Sequence, residues 1–333
     1  MDKKKSLVLV DAYSQIYRAF YAIRMLTNSL GKPVNAAFVF TKFLLQLEKN
    51  HSSAYGAMLF DCGKVPFRLA LNPEYKANRP PMPDPLKQQI PLIREIAEAF
   101  GWELLQYEGF EADDLIGGMA RRYSDMPVEI VSSDKDLSQL IDERIFMLVP
   151  AGSSGGFEIR DAAAVKAKFG VAPEMMIDYL ALLGDASDNI PGVPGVGPKR
   201  AVEFLAQLGA AEKWLNDPSV IDPASTAGKK LLPELETIRR NRELIRLRTE
   251  LPETLDKDEP PVRREPDWKK ITRICQENQF KSILKELPEI KEELPEPEVA
   301  EEEFFGDLFS FAASQKSKVK EKEEPQEIQG ELF

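Results

Sequence analysis

The chain is predicted to adopt an α/β fold, a mostly parallel sheet with helices on both faces, continued by a helical region. Three observations predict it. Short apolar, β-rich runs alternate with helix-period segments from Ser6 to Val149. Asp11 and Asp61 directly follow two of these runs, and Asp134 closes the short Ser132-Ser133 step after a third. After about residue 170 the strand pattern gives way to helices around a glycine-rich turn.

Ser6 to Val10 is the first strand, ending at Asp11, and Tyr13 to Leu26 follows as a helix. In that helix Tyr17, Phe20, Tyr21 and Ile23 are core or substrate-lining positions. Asn35 to Leu47 is the second helix, and Tyr55 to Phe60 is the strand that delivers Asp61. From Cys62 to Pro85 six prolines are mixed with Arg68, Lys76 and Arg79, so this stretch cannot be one ordinary helix. It is expected to be a long, basic, partly mobile excursion, and loops of that length in a compact domain are usually functional. Leu86 to Phe100 has amphipathic helix spacing and leads into the strand Trp102 to Tyr107.

Glu111, Ala112, Asp113 and Asp114 open the next helix, where acidic side chains complement the helix dipole. Taken alone, that first turn reads as capping rather than catalysis. Val128 to Val131 is a further strand, after which Asp134 and Asp136, one residue apart, fall on the same side of an extended segment. Ile145 to Val149 completes the alternation. Met175 to Leu183 is an apolar helix, followed by Asp185 and Asp188 and then by Gly192, Gly195 and Gly197. Those glycines allow backbone amides to approach phosphate oxygens, with Pro198 opening a helix and Lys199 and Arg200 beside it.

The strands of an open α/β sheet present their C-terminal ends along one edge, where ligands bind. Carboxylates gathered there repel one another unless cations sit between them, and hard oxygen ligands suit Mg²⁺ or Mn²⁺. Two cysteines, Cys62 and Cys275, and a single histidine, His51, provide neither a disulfide framework nor a zinc site. Both cysteines read as small buried side chains and His51 as a surface loop residue. The absence of a long apolar run or a signal-peptide core leads to the expectation of a cytoplasmic protein without membrane contact.

The net charge of −11 does not exclude nucleic acid. From Glu289 onward, 14 acidic and 5 basic residues account for −9 of it, leaving −2 on residues 1–288. Bound divalent ions would offset the clustered carboxylates there and leave Lys and Arg free to track phosphates.

The motifs Leu7-Val8-Leu9-Val10-Asp11, Phe60-Asp61, Tyr75-Lys76-Ala77-Asn78-Arg79-Pro80, Glu111-Ala112-Asp113-Asp114, Ser133-Asp134-Lys135-Asp136-Leu137 and Gly184-Asp185-Ala186-Ser187-Asp188-Asn189 occur in one fixed order. In that order they resemble the 5′ nuclease family of flap endonucleases and 5′→3′ exonucleases, over about residues 6 to 287. The likeness is strongest to the N-terminal nuclease domain of bacterial DNA polymerase I. It implies a PIN-like catalytic domain at 1–165 with a helical arch at about 62–92. A helical subdomain at 166–288 would follow, with a helix-three-turn-helix motif at about 175–210.

The resemblance further implies that Asp11, Asp61, Glu111, Asp113, Asp134 and Asp136 are metal ligands, with Asp114, Asp185 and Asp188 completing the set around two or three Mg²⁺ or Mn²⁺ ions. Tyr75, Lys76 and Arg79 match the catalytic foot of the arch. Gly192, Gly195, Gly197, Lys199 and Arg200 match the duplex-binding motif, with K⁺ as its monovalent ion. Arg68 has two readings of equal weight, a phosphate contact or a solvated arch residue. The implied activity is two-metal hydrolysis of DNA or RNA-DNA at 5′ flaps, nicks or RNA primers, in Okazaki-fragment maturation and repair, by a monomer associated with the nucleoid.

Residues 289–333 read as a disordered acidic tail. Its terminal Gln329-Gly330-Glu331-Leu332-Phe333 resembles the peptide that bacterial replication proteins insert into the sliding clamp, with Gln329, Leu332 and Phe333 as the anchors. The tail's composition argues for a separate nuclease rather than a fragment of a polymerase. A reading from another class, a non-catalytic DNA-binding scaffold that links DNA to the clamp, is disfavoured by the complete acidic set.

Overall fold

The computed structural model describes residues 4–151 and 156–288, which belong to one compact unit closing at Pro288. Gln329, Leu332 and Phe333 therefore lie outside the described residues, as does the rest of the acidic tail. The first half contains β1 (Lys4–Asp11), α1 (Ala12–Ala22), α2 (Asn35–His51), β2 (Ser53–Leu59), α3 (Pro66–Leu71), α4 (Asp84–Lys87), α5 (Ile90–Ala99), β3 (Glu103–Leu105), α6 (Ala112–Arg122), β4 (Val128–Val131), β5 (Ile145–Pro150) and β6 (Phe157–Arg160). The sheet order is β3-β2-β1-β4-β5-β6, parallel throughout except for the antiparallel edge strand β6. The expected parallel sheet is present, with an antiparallel edge that the sequence pattern did not indicate.

Period-two alternation buries both faces of the sheet. Leu7 and Leu9 of β1 join Leu59, Ile130 and Met147 in a core beneath α6. Val8 and Val10 join Met58, Phe60 and Leu148 in a second core beneath α1, α2 and α5. The strand order reverses direction between β1 and β4, so the C-terminal ends of these two strands flank the crevice where such sheets bind ligands.

The second half contains α7 (Ala162–Phe169), α8 (Met176–Leu183), a two-residue ladder of β7 (Gly184–Asp185) and β8 (Ile190–Pro191), α9 (Pro198–Leu208), α10 (Ala211–Asn216), α11 (Thr226–Leu231), α12 (Leu235–Ile245), α13 (Trp268–Glu277) and α14 (Lys281–Leu284). Leu180, Phe204, Trp214 and Ile245 share one continuous core with Leu7 and Ile130, so the helical region extends the α/β core rather than forming its own. After α12 the chain returns to the sheet. Arg263 N donates to Ala54 O, Arg264 N donates to Gly101 O, and Ile271, Ile274 and Phe280 pack in the core under α5.

Three boundaries differ from expectation. The helix predicted to Leu26 ends at Ala22, because Asn28 accepts from Leu30 N and Lys32 N and turns the chain at Gly31, leaving Tyr21, Met25 and Leu30 exposed. The helix predicted from Leu86 to Phe100 is broken at Gln88 and Gln89. The buried Gln89 Oε1 accepts from Ala36 N and Ala37 N, satisfying the open amides that begin α2. His51 is not a loop residue. It ends α2, half-buried, with Nδ1 2.8 Å from the buried Glu129. No helix among the described residues is long and apolar enough to cross a membrane.

Candidate metal centre and nucleic-acid interface

Asp11 ends β1 and caps α1, its Oδ1 accepting from Ser14 N at 3.1 Å and its Oδ2 from Ser132 Oγ at 2.8 Å. Asp61 follows β2 and accepts from Ala112 N at 2.8 Å, tying the second strand to the start of α6. Asp113 lies in the first turn of that helix, and Asp134 follows β4. These four carboxylates line one cavity of about 480 Å³ together with Tyr13, Tyr17, Lys76, Arg79 and Met82. An adjoining cavity of about 370 Å³ shares Lys76, Arg79, Asp113 and Asp134, and adds Glu111, Asp136, Asp185 and Asp188. Eight of the nine acids expected as metal ligands therefore face two connected cavities at the C-terminal edge of the sheet.

The electrostatics are those of crowded, buried carboxylates. Burial, with further repulsion from Asp61 and Asp134, pushes Asp11 up to about 7 against the favourable bonds from Ser14 and Ser132. Burial and then Asp134, Asp11 and Asp61 raise Asp113 well above the carboxylate range. Burial, followed by Asp134, raises Asp136 to about 8, and Asp136 Oδ1 is buried without a hydrogen-bond partner. Among the described residues no three His, Cys, Asp or Glu side chains close on a common point as a ready-made cage. The residues nevertheless fit divalent cations: the donors are hard oxygens, one of them without a hydrogen-bond partner, and such an ion would relieve their mutual repulsion.

Asp134 and Asp136 meet by a different route from the one the sequence suggested. The segment is a turn, not extended. Asp136 N donates to Asp134 Oδ1 at 2.9 Å and Asp136 opens a 3₁₀ turn to Leu140. Between them Lys135 Nζ contacts Asp185 Oδ2 at 2.7 Å; burial raises Asp185, but Lys135 and the two bonds from Ser187 together outweigh it and hold Asp185 below its usual range. Lys135 was not singled out in the sequence, although a lysine between two clustered acids is a signal for such a counterion.

The foot of the predicted arch is fastened to the last acidic loop. Lys76 N donates to Asp188 O, Asn78 Nδ2 to Ala186 O, and Asn189 Nδ2 to Glu74 O. Lys76 and Asn189 both take left-handed backbone conformations, φ 57° each, at the two facing turns. Lys76 Nζ lies 2.6 Å from Glu111 Oε1 and 3.7 Å from Asp188 Oδ2, and Arg79 pairs with Asp188. Burial lowers the Lys76 ammonium, but Glu111 and Asp188 more than compensate and hold it above its ordinary value.

Three expectations are corrected by burial. Tyr75 is only 8% exposed and its hydroxyl donates toward Glu111 and Asp188, so it orients carboxylates rather than facing the cavity mouth. Arg68 is 1% exposed and is neither a phosphate contact nor a solvated arch residue. Asp114, also 1% exposed, forms a bidentate pair with Arg68 and is directed away from the metal cavities that its neighbours line.

At the glycine turn, Gly192 sits so close to the end of α8 that a Cβ there would lie 2.1 Å from Leu183 O. Its glycine is required by internal packing, which the phosphate reading did not anticipate. Gly195 has φ +73°, and its carbonyl accepts from Arg200 at 2.7 Å, so Arg200 shapes the turn. Gly197 caps α9 with open space around its Cα, and Lys199 and Arg200 are exposed in the first turn of that helix. This end of α9 is the part of the motif available to an outside anion.

A fold with this edge of carboxylates and facing cations defines a nuclease class, and comparison with known proteins agrees. The family model for the 5′-3′ exonuclease N-terminal resolvase-like domain matches residues 6–170, and that for its C-terminal SAM fold matches residues 171–268. The chain is 37% identical over 288 residues to a 5′-3′ exonuclease of Aquifex aeolicus, covering 86% of this chain and 96% of that one. It is 40% identical over 291 residues to DNA polymerase I of Pseudomonas aeruginosa, covering 84% of this chain but only 31% of the polymerase. In fold it is similar to the bacteriophage T5 D15 flap endonuclease, solved with DNA and metal ions. That likeness has a TM-score of 0.61 and 21% identity, over 85% of this chain and 98% of that one. The chain belongs to the 5′-3′ exonuclease family.

Proposed function

We propose that the protein is a divalent-metal-dependent, structure-specific 5′ nuclease that cuts DNA or RNA-DNA at 5′ flaps, nicks and RNA primers in lagging-strand maturation and repair. One observation carries this reading: Asp11, Asp61, Asp113 and Asp134 line the same cavity as Lys76 and Arg79, so a phosphodiester can be gripped between hard-oxygen donors and two cations. Asp11, Asp61, Glu111, Asp113, Asp134 and Asp136, with Asp185 and Asp188, would hold Mg²⁺ or Mn²⁺. When bound, such ions ionise the attacking water and stabilise charge on the transferring phosphate and departing oxygen. Lys76 and Arg79 exchange their carboxylate partners for phosphate oxygens, while Tyr13 and Tyr17 form the apolar wall of the cavity. Gly197, Lys199 and Arg200 at the start of α9 contact the duplex backbone.

A K⁺ ion at the glycine turn would suit the buried Asn241 Oδ1, which lacks a hydrogen-bond partner while Asn241 Nδ2 donates to the carbonyls of Ala181 and Pro191. The proposed clamp contact rests on Gln329, Leu332 and Phe333 alone. It is tested by clamp binding of the full chain, which Leu332→Ala with Phe333→Ala should abolish. The activity itself is tested with labelled double-flap, single-stranded and blunt duplex DNA in Mg²⁺, Mn²⁺ or EDTA. Cleavage at the flap junction that needs the metal supports the reading. Tight binding without cleavage in either metal would leave the non-catalytic scaffold as the better account.

A further inference from the structure

Arg68 places every N–H of its guanidinium on a named acceptor while being almost fully buried. Nε donates to Leu244 O at 3.0 Å. One terminal nitrogen donates to Glu111 Oε2 at 3.0 Å and Asp114 Oδ2 at 2.6 Å, and the other to Asp114 Oδ1 at 2.7 Å and Arg246 O at 3.5 Å. Asp114 is satisfied in the same way, accepting additionally from Arg248 N at 3.0 Å and Glu111 N at 3.3 Å. The pair therefore joins three separate parts of the chain: α3 at the base of the arch, the first turn of α6, and the segment that leaves α12.

We infer that Arg68 and Asp114 are positioning residues for catalysis, a buried ion pair that fixes the Glu111 carboxylate and couples it to the helical region. Asp114 acts as the counterion of that pair and not as a metal ligand. Glu111 has only two oxygens. With Oε2 held by Arg68 and Tyr75, Oε1 is the one left facing Lys76 in the adjoining cavity of about 370 Å³. Free rotation of that carboxylate would cost both the oxygen presented to the site and the partner of Lys76. The carbonyls of Leu244 and Arg246 anchor the same guanidinium, so one side chain links the end of α12 to Glu111.

A purely structural ion pair and a positioning pair predict different behaviour when both charges are removed. Losing one partner of a buried pair leaves an uncompensated charge, whereas removing both is often tolerated. This inference rests on the nuclease reading, and wild-type cleavage of the same substrate keeps the two separable: no wild-type activity defeats that reading, not this one. The experiment uses the full chain as wild type, Arg68→Met, Arg68→Met with Asp114→Asn, and Arg68→Lys. Melting temperature, blunt-duplex affinity in EDTA, kcat and KM are measured for each. Asn at 114 keeps an acceptor for one of the two backbone amides. Arg68→Met should melt lowest, and the double variant should regain most of that loss while its kcat stays down about 100-fold with KM within about threefold. A folded double variant with wild-type kcat would overturn the proposal. If the double variant does not fold, Arg68→Lys decides, since it keeps the charge but not the fork. A fall of about tenfold or more in kcat at wild-type stability is expected, and an unchanged kcat overturns the proposal.

Discussion

Lys76 Nζ lies 2.6 Å from Glu111 Oε1, so a cation of the predicted arch foot and a carboxylate of the proposed metal centre neutralise each other. Arg79 stands in the same relation to Asp188. Both cations line the cavity that also holds Asp11 and Asp61, so a phosphate entering there competes for them with protein carboxylates. Divalent ions that occupy the carboxylates would free the cations for that phosphate.

Lys76→Ala and Arg79→Ala should each lower single-turnover cleavage by about 100-fold while leaving duplex affinity within about threefold, because the lost contacts act on the reacting phosphate. Parallel titrations of binding and cleavage check this. Equal losses in both would make the two residues general binding groups.

The crowded carboxylates set a pH dependence with a definite sign. Asp11, Asp113 and Asp136 have raised values in the folded protein, so between about pH 4 and pH 8 the folded state binds more protons than the unfolded chain. Stability from these groups is full at low pH and is lost as pH rises through the folded values near 7 and 8. In EDTA, Asp136→Asn should therefore raise the melting temperature at pH 8.5 relative to wild type, with little effect at pH 5. In Mn²⁺ the order should reverse, because wild type gains more from the ion. Thermal melts in both conditions decide it.

The fold was legible where periodicity is strong. Leu7 to Val10 alternate between two cores, so the strand pattern was readable from four residues. The candidate metal centre was legible because three of the parallel strands, β1, β2 and β4, lead directly to Asp11, Asp61 and Asp134 at one edge. Asp114 was misread because it shares its first turn with Asp113 but points to Arg68, a partner 46 residues away that no local pattern reveals. Arg68 itself looked like an arch cation because burial cannot be read from a proline-rich segment. The end of α1 was missed because the apolar Ile23, Met25 and Leu26 continue a helical spacing that the Asn28 turn interrupts.

The two glycines of the turn separate packing from DNA contact. Gly192→Ala forces a Cβ into Leu183 and should destabilise the protein by about 2 kcal/mol or more. Gly197→Ala meets open space and an extended backbone, so its stability should stay within about 1 kcal/mol of wild type while duplex affinity falls. Denaturant melts and duplex titrations distinguish the two. Unchanged duplex binding in Gly197→Ala would remove the start of α9 from the interface.

The most direct test is single-turnover cleavage of a double-flap DNA in Mg²⁺ by wild type and Asp134→Asn, with duplex affinity measured alongside. Asp134 lines both cavities and repels Asp11, Asp113 and Asp136, so it stands at the centre of the proposed metal site. The account predicts a loss of about 1,000-fold or more in the rate at the flap junction, with DNA affinity kept within a few fold. Cleavage by Asp134→Asn at a rate near wild type would contradict it, because the carboxylates would then not form the catalytic centre.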